Sequence, residues 1–173
     1  PQKERTSPFL GRVDTDIMYD NLMNKFQFGN IGEEGVYLSN DIARMASNFR
    51  SNYVTLAEAL LDEGKKDKAI EVVDRCQKEM PNHNNPYNLY TYPLALAYYR
   101  AEASEKGNAV AEILIDNLAD EVKYYAGMDS DDAKRYERDK KMNVQYIRQF
   151  VSLAKQNGQT EFAKKIEEKV AGF

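Results

Sequence analysis

The architecture of this chain follows from residues 50–81, which read RSNYVTLAEALLDEGKKDKAIEVVDRCQKEMP. Apolar residues recur along this segment at intervals of three and four, the spacing that lines one face of an α-helix. The periodicity stops at Gly64, resumes at Asp67 and ends before Pro81. Because glycine permits a tight turn after a helix and proline cannot continue one, the pattern predicts two helices joined by a short turn.

These residues resemble a tetratricopeptide repeat, a helix–turn–helix unit of about 34 residues. Such a repeat has an aromatic residue at position 4, a large apolar residue at position 7, small residues at positions 8 and 20, and proline at position 32. With Arg50 as position 1, these positions hold Tyr53, Leu56, Ala57, Ala69 and Pro81, and Gly64 lies at the turn. Small residues let paired helices approach closely, so the resemblance implies that Ala57 and Ala69 are buried.

Two weaker copies of the pattern follow. The second places Leu94, Ala95 and Gly107 at positions 7, 8 and 20, with Glu102 where the turn glycine is expected. The third begins at Val144, and its positions 4, 7, 8, 15 and 20 hold Ile147, Phe150, Val151, Gly158 and Ala163. The copies start about 38 and 56 residues apart rather than about 34. The sequence therefore predicts an irregular array.

Helical periodicity also covers most of the chain after residue 13, apart from predicted loops at 29–39 and 86–92, and no alternating run predicts a paired strand. A first short helix at about 16–26 precedes the repeats and forms an N-terminal cap. We therefore predict an all-α fold, an irregular tetratricopeptide-like helical repeat array of about seven helices. The predicted organisation is a flexible arm or linker at 1–13 and a single α-helical repeat domain at 14–173, with repeat-like units at about 50–83, 88–126 and 144–173.

Composition excludes several classes of protein. The chain has 173 residues, 24 Lys and Arg against 28 Asp and Glu, and a formal net charge of −4. This balance argues against non-specific nucleic-acid binding. A single His and a single Cys do not supply a zinc site, so no metal or other cofactor is expected. The uncharged segment at 86–99 is shorter than the roughly 20 apolar residues that span a bilayer.

A second resemblance rests on Gly11–Asn30, which reads GRVDTDIMYDNLMNKFQFGN. Together with Val36–Leu38 and the long helix that follows, this block resembles the soluble C-terminal region of a family of bacterial multi-pass membrane proteins. The membrane part of that family is similar to protein O-mannosyltransferases, and its members are predicted glycosyltransferases. The resemblance implies an extracytoplasmic tail on the periplasmic side, tethered to the inner membrane by a missing N-terminal portion that would hold the catalytic residues.

The tetratricopeptide resemblance also implies a binding surface. In stacks of such repeats, positions 2, 5, 9, 12 and 13 of the first helix line a ligand groove. The groove candidates in this chain are Leu89, Tyr92, Leu96, Tyr99 and Arg100 in the second copy and Arg148 in the third. Tyrosine offers a large contact area at low entropic cost, which suits a binding surface. The alternative is that the tyrosines only pack between helices.

Other reactive residue types have simpler interpretations. Asp14 or Thr15 caps one predicted helix, and Asp129 or Ser130 caps another. Negative charge is favoured at the start of a helix, and the acidic neighbours of Asp14 and Asp129 lack the pattern of a calcium loop. Cys76 occupies a packing position of the first repeat, which predicts a buried, unreactive thiol. His83 lies in a turn-rich loop with no nucleophile motif. The sequence therefore offers no catalytic residues.

Three functions are compatible with these patterns. The leading expectation is a non-catalytic protein-interaction or scaffolding domain, whose partner is a protein or peptide, including the membrane portion of its own chain or an acceptor protein. The full-length protein would then be a glycosyltransferase, although this fragment is not. The second is a free-standing soluble tetratricopeptide adaptor. The third is a glycan-active domain that uses paired carboxylates such as Glu58 and Asp62, since glycoside hydrolysis needs two carboxyl groups.

Overall fold

The computed structural model describes residues 13–171, and these residues form seven α-helices and no strand. The all-α prediction and the expected number of helices are confirmed. Of the predicted arm at 1–13, only Val13 lies within the described residues. The helices are α1 (Thr15–Asp20), α2 (Asn40–Asp62), α3 (Lys66–Glu79), α4 (Tyr92–Arg100), α5 (Ser104–Ala126), α6 (Ser130–Gln156) and α7 (Thr160–Lys169).

The chain divides into two compact units, Pro1–Asn85 and Pro86–Phe173. The first unit contains α1 to α3, and the second contains α4 to α7. Within the units, α2 packs on α3, α4 on α5, α5 on α6, and α6 on α7. Short connections join each of these pairs, which makes the partners antiparallel. The prediction that residues 14–173 form one repeat domain stays a prediction.

Aspartate side chains cap the starts of α1 and α6. The Asp14 carboxylate accepts a hydrogen bond from the backbone N–H of Ile17 at 3.0 Å, and Asp129 accepts from the N–H groups of Asp131 and Asp132. Each carboxylate satisfies backbone donors that lack a partner inside the helix. Asp14 and Asp129 are therefore helix caps. The first helix differs from its prediction only at its end, because Asn21–Lys25 continue it as a π-helical turn.

The first unit is built around the α2–α3 hairpin. Tyr53, Leu56 and Leu60 of α2 are buried. The short α1 segment covers this hairpin from outside: the Thr15 hydroxyl donates to the carboxylate of Glu63 at 3.0 Å, and Leu22 is buried. The predicted role of the first helix as a cap on the following hairpin agrees with this packing.

Two loops of the first unit pack against the α2–α3 hairpin, and the sequence does not predict this packing. Gly32 lies so close to the end of α3 that a Cβ there would come within 2.9 Å of the Lys78 carbonyl oxygen. The Asn84 side chain donates to the Ile31 carbonyl at 2.7 Å. The guanidinium of Arg50, which has no solvent exposure, donates to the Met80 carbonyl at 2.9 Å. The loops at 29–39 and 80–85 are thus held on the hairpin by bonds to backbone carbonyls.

The three helical hairpins turn in the same way. At position 15 of each copy the backbone is left-handed, with φ of +77° at Gly64, +65° at Glu102 and +72° at Gly158. The next residue then donates its N–H to the carbonyl five residues back: Lys65 to Leu60 at 2.8 Å, Ala103 to Tyr98 at 2.9 Å, and Gln159 to Ala154 at 2.8 Å. This bond satisfies a carbonyl that the ending helix leaves open.

Candidate functional site

The predicted groove residues belong mainly to α4, and a local hydrogen-bond motif sets the start of that helix. The Asn88 side chain accepts from the Tyr90 N–H at 3.0 Å, and the Asn88 N–H donates to the Thr91 hydroxyl at 3.3 Å. Pro93 follows in the first turn of α4, where a missing N–H costs nothing. These contacts fix the direction in which Leu89 and Tyr92 leave the backbone.

Four of the predicted groove residues are accessible on α4 and the turn before it. Leu89, Tyr92 and Leu96 are half-buried, and Arg100 is exposed. Three of them, Leu89, Leu96 and Arg100, are spaced by seven and four residues, which places them along one side of the helical segment. We call these four residues the α4 face. The face combines apolar contact area with a tyrosine and an arginine, and these two residue types are enriched among those that contribute most to binding energy at protein interfaces.

Tyr99 does not belong to this accessible surface, which corrects the predicted groove. Its side chain is only 5% exposed, and its ring lies against Gly107, where an added Cβ would come within 3.3 Å of the ring. Its hydroxyl donates to the Asn108 side chain at 2.5 Å, and that amide donates to Gln159 at 2.9 Å. Burial raises the pKa of Tyr99 to about 12. The packing alternative that the sequence left open therefore describes Tyr99.

Tyr92 joins α4 to α6. Its ring centroid lies 5.6 Å from that of Tyr146 and 4.7 Å from that of Phe150, both in edge-on contacts. Burial raises the pKa of the Tyr92 hydroxyl. A second connection runs from Tyr99 through Asn108 to Gln159, just beyond the end of α6. The start of α4 therefore contacts α6 at Tyr146 and Phe150, and the end of α4 is linked to Gln159 just after α6. For this reason α4 runs in the same direction as this part of α6.

Arg148 is exposed but is not brought together with the α4 face. It lies two residues from both Tyr146 and Phe150, and each residue advances about 100° around a helix, so it points away from the contact with α4. Arg148 instead lines a shallow depression with Val144, Ile147 and Val170, whose volume is about 20 Å³. Ligand pockets usually hold about 300–1,000 Å³. This depression is too small for such a ligand.

Uncharged polar residues form a separate exposed strip on α6. At about 100° per residue, four exposed side chains of α6 share one sector of roughly 60°, on the side away from α5 and α7. These residues are Gln145, Gln149, Ser152 and Gln156. Gln145, Ser152 and Gln156 occupy positions 2, 9 and 13 of the third copy, which belong to the groove positions of such repeats, and Gln149 shares their sector. Their amides can both donate and accept hydrogen bonds, as a peptide backbone does.

The other reactive residues that the sequence singles out lie in the described part of the chain, in separate surroundings. Cys76 is fully buried, and burial raises the pKa of its thiol to about 12, in agreement with an unreactive core residue. A ring nitrogen of His83 lies 3.3 Å from the Gly32 carbonyl oxygen in an exposed loop. Glu58 and Asp62 are exposed on α2. Within residues 13–171, no three side chains of His, Cys, Asp or Glu are grouped so that they could hold a metal ion.

Two further findings bear on function. Among the described helices, none combines the length and the apolar character that a membrane crossing needs. Comparison with protein-family models, curated proteins and solved structures found no match to this chain. Any functional proposal for it therefore rests on the residues and contacts given above.

Proposed function

We propose that this chain is a non-catalytic protein-interaction domain built from three tetratricopeptide-like hairpins. The observation that carries the proposal is the common turn geometry of the three hairpins, with a left-handed residue at position 15 and the same backbone bond after it. The second copy carries glutamate at that position. A shared backbone conformation without a shared residue type supports a repeated unit more strongly than a glycine pattern would.

The buried positions of the three copies support the same proposal. Position 7 holds Leu56, Leu94 and Phe150, all with no exposed side chain. Position 20 holds Ala69, Gly107 and Ala163, all buried. A large residue beside a small one allows helices to interdigitate closely, which is the packing that the repeat requires. Position 8 follows with Ala57, Ala95 and the larger Val151.

The ligand that fits the α4 face best is an extended peptide. Leu89, Tyr92 and Leu96 offer apolar contacts, and the exposed amides of α6 are of the chemical type that bonds to a peptide backbone. No acidic residue occurs at 80–101 or at 142–160, whereas Arg100 lies at the end of the α4 face. The face is an open surface rather than a cavity, which suits a chain segment better than a small molecule.

We further propose that the domain belongs to a membrane-anchored glycosyltransferase, with the interaction domain on the extracytoplasmic side. The support is the resemblance of Gly11–Asn30, with Val36–Leu38 and the helix that follows, to the tail of such a family. Sequencing of the reading frame upstream tests this part alone. A series of membrane-spanning segments upstream would support it. An upstream sequence without such segments would contradict it and would favour the free-standing adaptor.

To test the binding proposal, a displayed library of random twelve-residue peptides is selected for binding to this chain. The affinity of the enriched peptides is then measured. Leu96→Asp places a charge in the centre of the α4 face and should weaken peptide binding at least tenfold. The matched control is Ile113→Asp, which alters a partly exposed apolar residue of α5 and should leave binding unchanged. Failure to enrich any peptide, or equal binding to both variants, would contradict the proposal. Thermal melting verifies that both variants fold.

A further inference from the structure

The end of the α5–α6 hairpin carries a second surface that the proposed function does not use. Its aromatic residues are Tyr124 and Tyr125 near the end of α5 and Tyr136 near the start of α6, and its acidic residues are Glu121 and Asp139. We call these five residues the tyrosine tip. All five belong to the second unit: Glu121, Tyr124 and Tyr125 lie at the end of the second repeat-like segment, and Tyr136 and Asp139 lie between that segment and the third.

The three rings form an ordered aromatic surface. Tyr125 and Tyr136 are stacked almost parallel, with ring centroids 5.1 Å apart and an angle of 2° between the planes. The Tyr124 ring lies 6.0 Å from that of Tyr125 and is tilted by 57°. Tyr124 is 68% exposed, so most of its ring is open to solvent. Stacking on Tyr136 restrains the ring of Tyr125, and the ring of Tyr124 packs against this restrained ring.

Carboxylates surround this aromatic surface. The pKa of Tyr125 is raised mainly by burial. The carboxylates of Glu121 and Asp139 raise it further. The carboxylate of Glu121 is held in place by Asn143, a buried side chain of α6 that donates to it at 2.7 Å. Residues 120–141 contain seven acidic and six basic residues, so the local excess of negative charge is only one. The carboxylates that the tip itself offers to a cation are those of Glu121 and Asp139.

We propose that the tyrosine tip binds an arginine side chain of a partner protein segment. The planar guanidinium would lie on the open face of Tyr124 and donate hydrogen bonds to the carboxylate of Glu121. Guanidinium groups stack on aromatic rings and bond to carboxylates through several N–H groups at once. Lysine carries the same charge but lacks both the plane and the fork of donors, so the site prefers arginine.

Nuclear magnetic resonance titration of the full chain with capped decapeptides tests this proposal. Three peptides share a Gly and Ser background and carry four Arg, four Lys or four Gln. We expect the Arg peptide to shift the backbone signals of residues 121–139, to bind several-fold more tightly than the Lys peptide, and to weaken at higher salt. The Gln peptide should not bind.

Variants of the tip separate stacking from charge. Tyr124→Ala should weaken binding of the Arg peptide about two- to fivefold, Tyr124→Phe should retain it, and Glu121→Gln should weaken it at least as much as Tyr124→Ala. Tyr37→Ala, which removes another highly exposed tyrosine, is the matched control and should change nothing. Equal affinity for the Arg and Lys peptides, unchanged binding to Tyr124→Ala, or signal shifts that lie mainly outside residues 121–139 would each overturn the proposal.

Discussion

Glu102 adopts at the second hairpin turn the backbone conformation that the other two hairpins give to glycine. It is the one non-glycine residue among those described that has a positive φ. A left-handed conformation costs a residue with a Cβ about 1–2 kcal/mol, because the Cβ crowds the following carbonyl oxygen. The turn nevertheless forms, since the helices on both sides of it pack against each other.

Replacing Glu102 with glycine should therefore stabilise the protein. The gain is the relieved crowding less the lost interaction of the Glu102 side chain and the larger conformational entropy that glycine brings to the unfolded chain, so we expect a rise of no more than about 0.5 kcal/mol in the free energy of unfolding. Urea denaturation followed by circular dichroism measures it. The control is Gly158→Ala, which adds a Cβ at φ +72° and should lower the free energy of unfolding by about 1 kcal/mol. The opposite order would contradict the prediction.

Single residues also show where sequence reasoning was insufficient. Tyr92 and Tyr99 have the same side chain and are both predicted groove residues, yet one is half-buried and the other buried. The difference comes from Gly107, whose missing side chain leaves space for the Tyr99 ring. Arg148 was grouped with the α4 face by repeat position, and only the aromatic contacts of Tyr146 and Phe150 show that it points elsewhere.

At the scale of elements, the sequence predicted what local signals determine. Helix starts and ends follow from capping residues and turn glycines such as Asp14, Gly64 and Gly158, and these act within a few residues of the boundary. The π-helical turn at Asn21–Lys25 and the docking of loop 29–39 on the first hairpin were missed. Both depend on contacts between residues far apart in sequence, such as Asn84 with Ile31, which leave no periodic pattern.

Close packing of the first hairpin gives a prediction at this scale. Ala69 is buried where α3 meets α2, and Ala69→Leu should overpack the pair and reduce the free energy of unfolding by about 1–3 kcal/mol. Ala109→Leu, a change of the same size at an exposed site of α5, is the control and should stay within about 0.5 kcal/mol of the wild type. Differential scanning calorimetry compares the variants. Equal melting temperatures for all three proteins would show that the repeat register is wrong.

At the scale of the whole molecule, the proposed binding residues lie entirely within the second unit. Leu89, Leu96 and Arg100, together with the amide side chains on α6, belong to residues 86–173. That unit has a core of its own, in which Leu94, Val110, Leu114 and Phe150 are fully or almost fully buried. Ion pairs of Glu112 with Lys165 and of Asp116 with Lys169 join α5 to α7.

A fragment of residues 86–173 should therefore fold cooperatively and bind the peptides selected by the whole chain with an affinity within about threefold. Its folding rests on the internal core, which supplies the apolar burial that an isolated domain of this size needs. Circular dichroism melting tests folding, and isothermal titration tests binding. The matched fragment of residues 1–85 contains α1 to α3 but no part of the α4 face and should not bind. A folded second unit that does not bind would move the peptide site to the first unit, while peptide capture by residues 1–85 would show directly that the α4 face is not the site.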